Sequence, residues 1–205
     1  MVIYWRIKGI KEVMKYNKLP RSFYARDPSQ VAESLLGKVL VYYTSKGVMK
    51  GKIVETEAYY GENDPASRAF KGKTPLTSIM WGDPGIAFIY MVHANWLFNI
   101  IADRKNKPGA VLIRALEPLE GIKLMKRNRG KERLKELTSG PGKLTQTMGI
   151  TKNENGVDLV KSGSLFVTSG EGTGFDIIKS KRIGVSADLE VPLRFYIKRN
   201  RFVSK

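Results

Sequence analysis

The chain of 205 residues carries 36 Lys and Arg against 19 Asp and Glu, a formal net charge of +17, while 42% of its residues are hydrophobic. That length suits one sizeable core, and a folded chain this basic calls for a polyanionic partner, because released counterions supply affinity without any reading of sequence. Nucleic acid leads, with an anionic membrane surface second. The absence of cysteine excludes disulfides, thiolate metal sites and a Cys nucleophile, and the single histidine, His93, argues against a His-based metal cluster or His-centred triad. Acid–base chemistry falls to carboxylates, Tyr or Lys. No apolar run approaches the roughly 20 residues that span a bilayer. Arg6 and Lys8 interrupt the first ten residues, leaving no signal-peptide core, so an intracellular protein of the cytoplasm or nucleoid is expected.

In chain order, Met1 to Lys18 is basic and aromatic without a clear period, and reads as an arm or as an extension ahead of a start near Met14. The remainder, 19–205, reads as one domain. Asp27-Pro28 predicts a helix start, Val31, Leu35 and Leu36 its apolar stripe, and Gly37 its end. Residues 38–43 and 48–59 read as strands joined by Thr44-Ser45-Lys46-Gly47. Residues 61–85 form a long polar loop, of a length that is functional or disordered, 86–92 and 96–101 a buried hairpin turning at His93-Ala94-Asn95, and 110–116 a further strand. Residues 119–128 have helical spacing with a cationic side, and Ser139-Gly140-Pro141-Gly142-Lys143 opens a second helix whose free amides and Lys suit an anion. Strands over 164–168, 176–186 and 193–198 complete the pattern. The expected fold is α+β, a single domain with a curved, mostly antiparallel β-sheet flanked by short helices.

Along the strand 48–59, alternation puts Ile53, Glu55, Glu57 and Tyr59 on one face and Val54, Thr56 and Ala58 on the other. Two carboxylates lie about 6.5 to 7 Å apart along the chain, within the range of an acid and base pair acting on a glycosidic bond. That geometry does not separate a sugar hydrolase from a base-excising enzyme, but a polysaccharide enzyme has little use for +17. Arg114, inside the apolar run Val-Leu-Ile-Arg-Ala-Leu, needs a buried partner, which Glu57 could supply; Glu55 suits a structural pairing with a cation.

Val54-Glu55-Thr56-Glu57-Ala58-Tyr59, Asp64-Pro65-Ala66-Ser67, Gly72-Lys73-Thr74-Pro75, Arg114-Ala115-Leu116-Glu117-Pro118 and Ser139-Gly140-Pro141-Gly142-Lys143-Leu144 occur in that order. They resemble the motifs of the alkyladenine (3-methyladenine) DNA glycosylase family, from about Leu35 to the C-terminus. The resemblance implies a monomeric, monofunctional base-excision repair enzyme without metal or other cofactor, which flips a damaged purine (hypoxanthine, ethenoadenine or alkylated adenine) from double-stranded DNA. It implies Glu57 as general base for a water, Arg114 holding that water and carboxylate, and the carbonyl of Ile183 touching the same water. Tyr59 and Tyr90 match the aromatic walls around the base, and Asn99 the residue that excludes the guanine amine. Arg68 stands where the family has a base-contacting His. His93 stands where it has an intercalating Tyr, although one residue is lost between His93 and Asn99, so that a neighbour could be the wedge. Ser139, Gly140, Gly142 and Lys143, at the start of the second helix, read on their own as a DNA-phosphate-binding turn or as an ordinary glycine-rich turn and cap. A non-catalytic nucleic-acid-binding module on the same scaffold is the rival reading.

Overall fold

The structure, a computed structural model, describes residues 16–170 and 174–205. Its first regular elements are a short helix α1 (Arg21–Tyr24) and α2 (Pro28–Leu35). The Asp27 carboxylate caps α2 by accepting the amides of Ser29 and Gln30, Pro28 presets the first turn, and Val31, Ala32 and Leu35 are buried. Gly37, at φ 81°, then turns the chain into β1 (Val39–Thr44), which pairs antiparallel with β2 (Gly47–Tyr59).

At 13 residues β2 is the axis of the sheet. It pairs with β1 up to Lys52 and with β5 (Gly109–Glu120) from Lys50 to Tyr59, while β8 (Arg194–Ile197) takes over the other edge at Glu55–Glu57. The hairpin of β3 (Ala87–Val92) and β4 (Asn95–Ala102) continues beyond β5, and β6 (Leu165–Thr168) lies outside β1. Among the described residues the order is β3-β4-β5-β2-β1-β6, with β7 (Ile177–Ser180) attached through β8. Helices α2 and α5 (Pro141–Met148) cover the sheet together with α3 (Ile122–Arg129) and the short α4 (Lys135–Thr138). Phe98, Ile100, Ile113 and Leu144 lie in the large core between them, and the Thr56 hydroxyl stitches β2 to α2 by donating 2.8 Å to the Ala32 carbonyl. The sheet is curled and antiparallel and the helices are short, so the expected fold class is the observed one.

Three local expectations change, and two short helices are new. The strand foreseen over 176–186 ends at Ser180, because Arg182 turns inward to a buried ion cluster and Gly184 has φ 76°. The helix foreseen from 119 starts at Ile122: β5 runs on through Pro118, opposite Gly51 at a register shift, and the break falls at Gly121, where a Cβ would collide with the Val48 carbonyl. Short helices α1 and α4 carried no sequence signal. Ile53 joins Val54 in the main core rather than extending the carboxylate face, since register shifts flank Glu55 and break the alternation.

The long loop 61–85 is built, not slack. Gly61–Asn63 and Ser78–Trp81 are 3-10 turns, and Ala69 and Met80 pack with Phe88, Ile101 and Ala110 in a second small core. Of the N-terminal arm, residues 1–15 lie outside the described residues. Lys18 bridges to Thr168 and the Leu19 amide donates to Val167, extending the sheet beyond β6. No helix among the described residues is long and apolar enough to cross a membrane.

Candidate active site

The two strand glutamates, both fully buried, meet opposite fates. Glu55 is saturated. Its Oε1 accepts Nε of Arg114 (3.0 Å), Nε of Arg194 (2.7 Å) and the Ser204 hydroxyl (2.8 Å), and its Oε2 accepts the Ser204 amide at 2.6 Å. Glu57 accepts the Ile183 amide (2.8 Å) and Nη1 of Arg114 (3.1 Å) on Oε1, and the Tyr59 hydroxyl (2.8 Å) on Oε2. A carboxylate offers about four acceptor positions, so Oε2 keeps one that no described residue uses. Burial pushes the Glu57 carboxyl above the usual carboxylate range, against the pull of Arg114, the Ile183 amide and Tyr59. The pull falls short because Arg114 divides its charge between two acids. Burial opposes the charge on Arg114 as well, but Glu57 and Glu55 together hold the guanidinium above its ordinary value.

Tyr59, Arg114 and Ile183 form the surface between Glu57 and an open cavity of about 730 Å³. Strand β3 sets Tyr90 into the same cavity, and loop 61–85 adds Arg68, whose guanidinium carbon lies 4.7 Å from the Tyr90 ring centroid. Burial raises the Tyr90 hydroxyl, while Arg68 and Asn99 lower it. Asn99 itself is 2% exposed, does not line the cavity, and gives its amide to the carbonyls of Phe88 (3.2 Å) and Leu97 (3.4 Å). It touches the site through Tyr90.

Behind Tyr59 stands Arg182, which sequence reasoning passed over. Its buried guanidinium bonds both oxygens of Asp64 (2.6 and 2.7 Å), Asp188 Oδ1 (2.6 and 2.9 Å) and the Ala58 carbonyl (2.9 Å), and lies 4.6 Å from the Tyr59 ring centroid. One side chain thus fastens the 61–85 loop, the 181–193 segment and β2 behind an aromatic wall. Asp64 opens one of the quoted motifs and carried a signal; Asp188, Arg194 and Ser204 lie outside every motif. Ile183, expected to offer its carbonyl, gives Glu57 its amide; its carbonyl accepts Arg114 Nη1 at 3.4 Å.

The rim of the cavity is cationic. Gly140, at φ 140° and ψ 149°, enters α5 in a conformation that favours glycine. The amides of Gly142 and Lys143 precede the first helical bond, Leu144 to Gly140, and Gly140, Gly142 and Lys143 line the cavity. Ser139 does not line it; its buried hydroxyl has no partner among the described residues and its backbone bridges to Ala115. Arg129, at the end of α3, also faces the cavity, with a buried Nε that has no partner among the described residues. Opposite, His93 and Ala94 (φ 44° and 60°) form a two-residue turn between β3 and β4, both exposed, with Asn95 already in the strand. Gly142 is pressed to this turn, since a Cβ there would stand 2.6 Å from Asn95 Oδ1.

A buried carboxylate behind aromatic walls, in a protein of this charge, belongs to the DNA glycosylase class. A family model described as Methylpurine-DNA glycosylase (MPG) matches residues 22–201, and the chain belongs to that family. It is 46% identical over 189 residues to a protein of Carboxydothermus hydrogenoformans named "Putative 3-methyladenine DNA glycosylase", covering 91% of this chain and 98% of that one. Proteins of the same name from Aeropyrum pernix (43% over 190 residues, 91% and 93%) and Clostridium perfringens (42% over 203 residues, 92% and 99%) are similarly close. The chain is thus an enzyme, a DNA glycosylase of the methylpurine family.

Proposed function

We propose that the protein flips a damaged purine out of duplex DNA into the cavity between Tyr59 and Tyr90 and hydrolyses its N-glycosidic bond. The observation that carries this reading is the single acceptor position left on Glu57 Oε2, set behind Tyr59, Arg114 and Ile183 at the cavity wall. Water held there loses a proton to Glu57 as its oxygen bonds to C1′, while the C1′–N bond breaks and its electron pair leaves with the base. A base poised above the ordinary carboxylate range takes that proton more readily near neutral pH. Arg114 orients the carboxylate and water, the tyrosine rings stack on the extruded base, and Asn99 fixes Tyr90. His93 at the hairpin tip fills the space the nucleotide leaves. Gly140, Gly142 and Lys143 hold a phosphate, with Ser139 shaping the turn from behind.

The test is single-turnover release of hypoxanthine, ethenoadenine or 3-methyladenine from duplexes carrying one lesion, with the Glu57→Gln variant alongside. Release from at least one lesion is expected, with a loss of about 10²- to 10⁴-fold in the variant. Salt-sensitive binding without release from any of the three would leave only the binding-module reading.

A further inference from the structure

The charge around the base pocket bears on which lesions it accepts, and the inference rests on the base-pocket reading above. Three of the cations at or behind the pocket are already matched by carboxylates. Arg182 faces Asp64 and Asp188, and Arg114 and Arg194 face Glu55 and Glu57. Arg129 and Lys143 stand on the side of the α5 N-terminus, where phosphate would pair them. Arg68 differs. It is exposed, lines the cavity, has no carboxylate partner among the described residues, and lies over Tyr90, a ring that a base would stack on. The rings on both sides are therefore already engaged by guanidinium groups, Arg68 at 4.7 Å from Tyr90 and Arg182 at 4.6 Å from Tyr59.

We propose that the pocket sorts lesions by charge, with Arg68 as the specificity-determining residue that shifts release toward neutral damaged purines such as hypoxanthine and away from cationic N-methylated ones. A cationic base gains from aromatic faces through the negative charge at the ring face. Here that gain is shared with guanidinium groups in place before the base enters, and Arg68 adds direct repulsion. A neutral purine pays neither penalty. Hypoxanthine also presents adjacent O6 and N7 acceptors that match the fork of an arginine, so Arg68 can leave the Tyr90 face and bind the base edge instead.

The experiment compares single-turnover release of hypoxanthine and of 7-methylguanine, a cationic base, from otherwise identical duplexes, after subtraction of enzyme-free release. Wild type, Arg68→Gln and Arg68→Lys are measured side by side, with thermal melts to confirm the fold. Arg68→Gln should lower the ratio of hypoxanthine to 7-methylguanine release by about tenfold, and Arg68→Lys, which keeps the charge, should hold most of it. A ratio in Arg68→Gln within about twofold of wild type overturns charge sorting, as does an equal gain for both bases, which would make Arg68 only an obstruction. If wild type releases neither base, it is the reading of the cavity as a base pocket that fails, a result distinct from an unchanged ratio.

Discussion

Arg182→Met removes a charge whose side chain is completely buried between Asp64, itself completely buried, and Asp188, about 15% exposed. Removing one partner of a buried ion pair costs about 3 to 5 kcal/mol, since it leaves an uncompensated charge where water does not reach. Asp64 retains only the amides of Tyr60 and Ala66, both at 3.0 Å, and the Ala58 carbonyl loses its donor. In a chain of 205 residues each kcal/mol moves the thermal midpoint by about 2 to 4 °C, so the variant should melt roughly 6 to 20 °C early. Calorimetry of the four proteins of an Arg182→Met and Asp64→Asn cycle measures the coupling. The double variant should be more stable than the sum of the singles by about 1.5 to 3 kcal/mol, because a neutral amide at position 64 no longer needs a counter-charge. A cost below about 1 kcal/mol for Arg182→Met, or strict additivity in the cycle, would refute the view that this cluster pins the two loops to β2.

Two further outcomes follow from the site. The buried Glu57 carboxyl has a folded pKa above its unfolded value, so its contribution is fully present below the ordinary carboxylate range and is lost as pH rises through the folded pKa. The melting temperature of wild type minus that of Glu57→Gln should therefore be smaller at pH 8 than at pH 4, while activity of the wild type falls on the acid side with a midpoint above the ordinary Glu value; a difference that grows with pH contradicts this. Lys143→Gln should weaken binding to damaged and undamaged duplex alike and reduce the slope of log affinity against log salt by about 1, read by fluorescence anisotropy from 50 to 200 mM salt. An unchanged slope would remove Lys143 from the phosphate contacts.

What the sequence made legible was local. The Asp27-Pro28 cap, the strands 39–44 and 47–59 and the Gly140 turn each declare themselves within a few residues, because caps, alternation and glycine conformations are short-range physics. The face shared by Glu55 and Glu57 was legible for the same reason, and both do reach Arg114. What escaped is long-range. Ser204 meets Glu55 across 149 residues and Arg182 meets Asp64 across 118, pairings that no periodicity encodes. The register shifts beside Glu55, which detach Ile53 from the carboxylate face, likewise depend on which strand pairs with β2, as β8 meets it only at Glu55–Glu57.

The contrast between the two glutamates also decides a question that spacing left open. Enzymes that cut sugar polymers with two carboxyl groups require both to reach the substrate, one to give a proton and one to activate water or attack. Among the described residues the Glu55 carboxylate bonds Arg114, Arg194 and Ser204, which occupy both its oxygens within 3.0 Å and seal it beneath the C-terminal segment. It serves instead to hold Arg114 in place, and with Arg194 it makes a group of two acids and two guanidiniums whose charges cancel. In the proposed mechanism the remaining chemistry falls to Glu57. A single base suffices for the proposed reaction, in which the ring nitrogens of a purine take the bonding electrons without a second carboxylic acid at a glycosidic oxygen, and the proposed stacking between tyrosine rings would hold the leaving base. The acid that a sugar hydrolase would need is, in this fold, the fastening of its arginine.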